Sequence, residues 1–518
     1  MKYMNLLLII LATVTFAIVA GFLSQYYKSK VIQTTSIIIS ILFILSFYYF
    51  LSASLFNSGV FIPRKSPQIY APVGNYYNLV LLAMVEKKLH IADSSTFPIL
   101  KDDNIHENFV HYWKQNIKLV ALADTCCYKS KIYLYFGISP VLFFYAPFHT
   151  ITGFFLTDKS LVFVISGLFF ILSLLIIKIL TQKIIVKKIP VYLQILTVFF
   201  IGFCNYTPFL LMKVASYEVA MMSAAFFLFL SLYLFFIYFI QSKTSYFSIF
   251  IISLLIAISV GCRPHYILFI PLLILAIIII ERFKGTNITN ILKLLLVFSI
   301  PCILYGTILA AYNYLRFDSI FEFGVTYQLN HLRLIHHNFQ IHDLLIGIKY
   351  YFFQPLIIND SFPFFSLVFA QGHSLNNQFI SGVLYTSPII LFILLFPYVI
   401  YNLRQTNKIT SIFLIILFFI AAINQTIAIS LAGIEQRYMF EFMYTIILVS
   451  IFVFYYFLYI YEKSTFIKYL LNIIFILIYI FMTYINISLL LCREHSLQHR
   501  SYEVTSIKNY EKTIRFLS

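Results

Sequence analysis

A chain can cross hydrocarbon only if every backbone N–H and C=O in the span is paired internally. For a helix this takes about 20 mostly apolar residues. The sequence holds about twelve runs of this kind: Met4–Phe22, Val31–Leu51, Ser160–Leu180, Val191–Leu210, Tyr217–Ile240, Phe247–Val260, Tyr266–Ile280, Ile291–Tyr312, Leu384–Tyr401, Ile409–Leu431, Tyr438–Tyr461 and Ile467–Leu491. Charged residues make up only 11% of the chain, against about 25% in ordinary soluble domains. A globule of this size could not cover its surface with so few charges, which excludes a soluble enzyme. The cysteines Cys126, Cys127, Cys204, Cys262, Cys302 and Cys492 are scattered without the spacing of a zinc or redox motif, which excludes a disulfide scaffold. The expected fold is therefore an all-α polytopic membrane protein with about 12 transmembrane helices.

Two long polar stretches interrupt the runs, and they divide the chain. The expected units are 1–51 (N-terminal transmembrane helices), 52–157 (first extracytoplasmic loop), 158–312 (transmembrane bundle), 313–383 (second loop), 384–491 (C-terminal transmembrane helices) and 492–518 (tail). Both loops are rich in Tyr, Phe and His and poor in Gly and Ser, so they read as folded caps rather than linkers. Met4–Phe22 has no small-residue cleavage site and reads as a span, not a secretory leader.

Lysine and arginine in the short loops set the orientation. Lys28, Lys30, Lys183, Lys187, Lys188, Lys243, Arg282, Lys284, Arg404, Lys408 and Lys463 share one side if both long loops lie on the other. The opposite short connections carry only Lys213, Arg263 and Arg437. The lysine-rich side is expected to be cytoplasmic, and this accounts for most of the +17 formal charge without nucleic acid. The parity requires that Ile132–Phe155, interrupted by Gly137, Pro140 and Pro147, forms one or two helices lying in the outer interface instead of a full span.

Charges at span ends are costly enough to need a reason. On the outer side these are Asp124, Glu218 in ASYEVAMM, Arg263 in GCRPHY, Arg316 and Glu322 in YNYLRFDSIFEFG, and Arg437 with Glu435 and Glu441 in EQRYMFEF. Taken singly, each has a plain explanation: an arginine snorkels to a headgroup, Glu218 pairs with Lys213, and Asp124 is solvated. The tyrosines read as core and interface-belt residues. Jointly, arginines that bind phosphate bidentately and carboxylates that accept a hydroxyl proton suit a sugar moving from a lipid phosphate. His331, His336, His337 and His342 lack zinc-site spacing, and no cofactor is expected, a divalent metal staying open without a motif to support it.

The order of these segments resembles the GT-C class of membrane glycosyltransferases, distant relatives of the lipid-A aminoarabinose and protein mannosyl transferases. NYYNLVLLAMVEKKLHI (Asn75–Ile91) is similar to the class's helix after the early span, and LADTCCYKSKIYLYFGISPVLFFYAPFH (Leu122–His149) to its juxtamembrane stretch. ASYEVAMM, GCRPHYILFIPLLIL and EQRYMFEF resemble the second acidic position, the Arg-Pro hairpin and a late Arg-Tyr motif. The resemblance covers roughly residues 70–460 in short, degenerate motifs. It implies a GT-C-like fold with interfacial juxtamembrane helices, and transfer from a polyprenyl-phosphate-linked sugar to a glycan, lipid or protein acceptor outside the lipid bilayer of a bacterial cytoplasmic membrane. Asp124 and Glu218 would then flank the reacting sugar, and Arg263, Arg316 and Arg437 would hold the lipid phosphate. Asn75, Tyr76, Tyr77, Asp93, Tyr135 and Glu322 would support them.

One departure stands out: the acidic residue expected before the tyrosine pair is Asn75, and an amide is not a base. Either Asp124 or Asp93 takes its role, or the activity differs from that of the class. There is also no DxD pair for a divalent metal. A flippase or other transporter of lipid-linked saccharides, or an O-antigen polymerase or ligase-like protein, remains an alternative; the first would show internal symmetry, and the sequence has no convincing repeat.

Overall fold

A computed structural model describes residues 29–54, 76–94, 125–182, 189–212, 214–240, 245–329, 341–360, 364–373 and 378–515, with residues 15, 19 and 184 isolated. The first apolar run lies almost wholly outside the described residues, as do Asn75 and Asp124. The elements used below are α1 (Lys30–Ser54), α2 (Tyr76–Val85), β1 (Ala92–Asp93), β2 (Thr125–Tyr128), β3 (Lys131–Leu134), α3 (Val141–Thr152), α4 (Asp158–Gln182), α5 (Val191–Phe203), α6 (Thr207–Met212), α7 (Ser216–Ile240) and α8 (Tyr246–Cys262). They continue with α9 (Pro264–Phe283), α10 (Ile288–Phe317), α11 (Ile341–Ile348), α12 (Pro388–Thr406), α13 (Lys408–Ser430), α14 (Gln436–Ile460) and α15 (Thr465–Arg515).

Among the described residues, 9 helices are long and apolar enough to cross a membrane: α1, α4, α7, α9, α10, α12, α13, α14 and the Thr465–Leu490 part of α15. Each coincides with an apolar run of the sequence. Two further runs fold differently. Phe247–Val260 lies within α8, which has 17 residues. Val191–Leu210 is broken into α5 and α6, with Tyr206 between them at φ 61°.

Several hydroxyl residues inside the spans satisfy themselves. Ser40, Ser173 and Thr181 each donate to the carbonyl four residues back, at 2.9, 2.9 and 2.8 Å, so these three bring no unpaired donor into the apolar layer. The helix of the last span continues into residues 492–515, because α15 runs as one helix to Arg515.

Packing is layered around two helices. Within their most apolar stretches α14 and α7 are 78% and 67% buried, against 28% for α10. α7 is flanked by α4 and α8, and α14 touches α4, α12 and α13. α10 stands at the periphery against α8 and turns Leu292, Leu296, Ile303 and Leu304 outward.

The segment Ile132–Phe155 makes no membrane-length helix. Its first residues belong to β3 and only Val141–Thr152 is helical. Lys129 and Ser130, at φ 49° and 58°, close β2 and β3 into a hairpin, the backbone of a two-residue primed turn. β3 is the central strand of the order β1-β3-β2. The hairpin docks on the end of α10: Arg316 Nη1 donates to Leu134 O at 2.7 Å, Tyr133 packs on Phe317 at 5.4 Å, and Leu329 N donates to Thr125 O at 2.9 Å. Parts of the two polar stretches, distant in sequence, thus form one cap.

The chain after β3 is then laid against the end of α8 with no spare room. A Cβ on Gly137 would collide with the backbone carbonyl of Gly261, and one on Gly261 with Ser139 Oγ and the Tyr305 ring. This close approach brings residues 135–139 beside Arg263.

Candidate functional site

Three chain segments converge at the mouths of the two central helices: the start of α7, the α8–α9 hairpin and the start of α14. Tyr217 is the hub. The Arg263 guanidinium lies 4.7 Å and that of Arg437 4.6 Å from its ring centroid, and Arg263 Nη2 donates to its hydroxyl at 3.0 Å. Tyr438 and Phe136 pack on the same ring at 5.6 and 5.7 Å. A guanidinium over an aromatic face keeps its N–H edge free for in-plane partners.

Those partners are carboxylates. Arg263 Nε is 3.1 Å from Glu441 Oε1, Arg437 Nη1 donates to Glu218 Oε1 at 3.2 Å, and Arg437 Nε is 2.8 Å from Glu435 Oε2. Three carboxylates therefore face two guanidiniums. Glu218 and Glu441 are 1% and 2% exposed, whereas Arg263 and Arg437 are 14% and 22% exposed. These two acids are buried more deeply than the arginines they face.

Local sequence explains each placement. Glu218 is the third residue of α7, and its Oε2 accepts the N–H of Ala215 at 3.0 Å. This is the backward half of a capping box. Arg263 sits in extended backbone at φ −141°, held there because Pro264 follows it. Glu435 is likewise extended, at φ −154°, and the following single turn aims Arg437 at α7. Burial leaves Arg263 Nη1, His265 Nε2 and Tyr77 OH without hydrogen-bond partners. An orphaned guanidinium N–H in a site this dry is costly unless something binds it.

The expected site residues divide into groups. Glu218, Arg263 and Arg437 come together. Tyr77 is stacked on Tyr145 at 5.5 Å, Tyr145 donates to Asp158 Oδ1 at 2.5 Å, and Tyr77 is within electrostatic reach of Arg263 and Tyr135. Tyr76, its neighbour on α2, is buried. Tyr135 packs on Phe136 at 4.2 Å and so adjoins the hub.

Arg316 is placed otherwise. Besides Leu134 it bonds Asn313 Oδ1 at 2.8 Å and covers the Tyr312 ring at 3.9 Å, which anchors the cap to α10. Glu322 accepts from Gly324 N and Thr326 Oγ1, at 2.5 and 2.6 Å, and shapes the turn after α10. Asp93 lies on β1 opposite Lys131 and 3.6 Å from His90. Burial and the nearby Lys131 charge hold the His90 imidazole below its usual range. Asn75 and Asp124 lie outside the described residues.

The sequence did not single out Tyr217, nor Glu441 as the partner of Arg263. The visible signal for Tyr217 was its place beside Glu218, masked by 40 tyrosines in the chain. Among the described residues no group of three or more His, Cys, Asp or Glu is arranged to hold a metal ion. Burial pushes the Cys126 and Cys127 thiols up to about 12 and about 11, so these neighbours are inert thiols.

Fold and site together define an integral, multi-pass, all-α membrane protein with a buried arginine–tyrosine–carboxylate cluster at the mouths of its central helices. The chain matches no protein-family model and no curated protein.

Proposed function

We propose that the protein is a membrane glycosyltransferase of the GT-C kind, moving a sugar from a polyprenyl-phosphate donor to a glycan, lipid or protein acceptor of the cell envelope. The observation that carries this reading is the state of Arg263. Its guanidinium is fixed by Glu441 and Tyr217 while Nη1 is buried and unpartnered. A phosphate oxygen satisfies such a donor better than water does, because an ionised acceptor roughly doubles the strength of the bond. Arg437, also packed on Tyr217, supplies a second positive group, and Tyr77 is within electrostatic reach of Arg263 and Tyr135.

In this reading the lysine-rich turns are cytoplasmic and the cluster opens on the extracytoplasmic side of a bacterial cytoplasmic membrane. Arg263 and Arg437 hold the lipid phosphate and neutralise the charge that grows on it as the sugar leaves. Asp124 belongs to the first extracytoplasmic loop, as a carboxylate beside the sugar. Arg316 supports the cap over the site.

A second reading, a flippase for lipid-linked saccharides, draws on one feature. The break between α5 and α6 leaves Asn205 Nδ2 and Thr207 Oγ1 buried without partners inside the bundle, and discontinuous helices line the substrate sites of transporters.

The deciding experiment deletes the gene and compares the envelope glycans by mass spectrometry. The transferase reading expects one sugar to disappear and its polyprenyl-phosphate form to accumulate, with Arg263→Gln reproducing the deletion. Unchanged glycans in the deletion strain would sink it. Accumulation of a complete saccharide on the inner leaflet would favour the flippase.

A further inference from the structure

Resting on the transferase reading, we infer that Glu441, not Glu218, is the carboxylate that removes the proton from the acceptor hydroxyl. Glu218 has no oxygen to spare. Its Oε2 holds the Ala215 N–H and its Oε1 holds Arg437. Protonating it would unmake a helix cap and an ion pair at once, so its chemistry is that of a positioning residue for Arg437. Glu435 precedes α14, is 20% exposed, and is committed to Arg437 Nε.

Glu441 differs from Glu218 in its hydrogen bonding and from Glu435 in its burial. It sits in the first turn of α14, is 2% exposed, and meets Arg263 through Oε1 alone. That oxygen is buried without a hydrogen-bond partner, so its contact with Arg263 is an ion pair only. Arg263 distributes its three nitrogens in a way that fits one reaction: Nε faces Glu441, Nη2 holds Tyr217, and Nη1 is vacant of partners. A phosphate oxygen on Nη1 and a hydroxyl on the Glu441 carboxylate would lie around a single guanidinium. Base and leaving group are thereby fixed relative to each other by one planar group, the kind of orientation that lowers a barrier without new contacts.

The step balances as follows. The acceptor O–H proton passes to the Glu441 carboxylate as the acceptor oxygen forms its bond to the anomeric carbon. The bond from that carbon to the phosphate oxygen breaks, and its electron pair leaves on the phosphate beside Arg263 Nη1. The anomeric centre inverts, and Glu441 later returns its proton to water.

The test uses the full-length protein in membranes of the deletion strain, with transfer read as restoration of the missing glycan mass. Undecaprenyl phosphate is the binding probe on purified protein. Glu441→Gln is expected to bind undecaprenyl phosphate like the wild type yet transfer at least about 100-fold more slowly, the usual loss for a general base. Glu441→Ala is expected to regain transfer on addition of formate, and Glu441→Asp to keep a slower activity with the acid limb of its pH profile intact. A purely structural Glu441 would show neither the rescue nor the pH limb.

The inference is overturned if Glu441→Gln transfers within tenfold of wild type, or if a folded, lipid-binding Glu441→Ala is not rescued. It is equally overturned if Asp124→Asn alone abolishes the acid limb. Should wild type itself neither bind undecaprenyl phosphate nor restore the glycan, the transferase reading fails, and this assignment falls with it.

Discussion

Two acid–base pairs of the same chemistry occupy opposite environments in this molecule. Arg437 and Glu218 join α14 to α7, with the carboxylate 1% exposed. Lys129 and Asp318 join the β2–β3 hairpin to the end of α10, with side chains 69% and 57% exposed. Their separations, 3.2 and 2.5 Å, would rank the surface pair as the stronger. Environment reverses the order. In water an ion pair gains little over its two hydrated ions, whereas a buried charge that loses its partner has no hydration to return to. The buried pair is therefore needed once present, and the surface pair is dispensable.

The sharpest way to break this comparison is Glu218→Ala. It strands Arg437 with Glu435 alone and uncaps Ala215, so the expected cost is about 3–5 kcal/mol, as for breaking a buried pair. The readout is the melting temperature of the protein purified in detergent. Glu218→Gln, which keeps the cap acceptor, is expected to fall between the two. A melting temperature unchanged in Glu218→Ala would mean the arginine is free to reach water and that the cluster is not dry.

Gly137→Ala sharpens the comparison by disturbing the site without touching a charge. The nearest atoms to the added Cβ are the Gly261 and Cys262 backbone, which cannot rotate away. About 1–3 kcal/mol of overpacking is expected; under the proposed function the loss of transfer should exceed what the fold loses, because the Arg263 hairpin must shift. Wild-type melting and transfer in the Gly137→Ala variant would refute the close packing of 135–139 on α8.

A third, smaller effect comes from neutral burial. At the α5–α6 break Tyr206 OH shares a hydrogen bond with Thr386 Oγ1 at 2.6 Å, and Asn486 Nδ2 donates to Thr386 O at 3.0 Å. Tyr206→Phe is expected to cost about 1 kcal/mol, the net value of one hydrogen bond, measured by the same melt and well short of Glu218→Ala.

How much of this was legible beforehand follows from the same physics. The nine membrane-length helices were readable because apolarity over such a length has few other uses. Inside one run, Asn205-Tyr206-Thr207-Pro208 is too short to lower the run's hydropathy, so the break in Val191–Leu210 stayed hidden; Pro at the second position of α6 was its only local mark. The β2–β3 hairpin was also missed. Thr125–Leu134 is rich in β-formers around Lys129-Ser130, but lacks the Asn-Gly signature that usually flags a primed turn.

At the site, Glu218, Arg263 and Arg437 were visible as charges at span ends. Which carboxylate meets which arginine was not. Glu218 reaches Arg437 across 219 residues, and Arg263 chooses Glu441 only because the α8–α9 hairpin and α14 meet at Tyr217. Pairing of that range is set by packing, not by spacing.

The smallest expected effect belongs to the exposed pair and carries a pH signature. Hydrogen bonds from Lys129 Nζ and Tyr128 OH, the latter at 2.9 Å, hold the Asp318 carboxyl below the usual carboxylate range. A carboxyl depressed by folding stabilises the folded state fully above its unfolded value, about 3.9. That contribution fades as pH falls through the lower folded value. Lys129→Ala should therefore melt slightly below wild type at neutral pH, and the gap should close on acidification below about pH 4. Added salt should narrow it as well, since both groups face water. A Lys129→Ala shift as large as that of Glu218→Ala, or one indifferent to salt, would mean that the cap excludes solvent from the hairpin and that burial does not separate the two pairs.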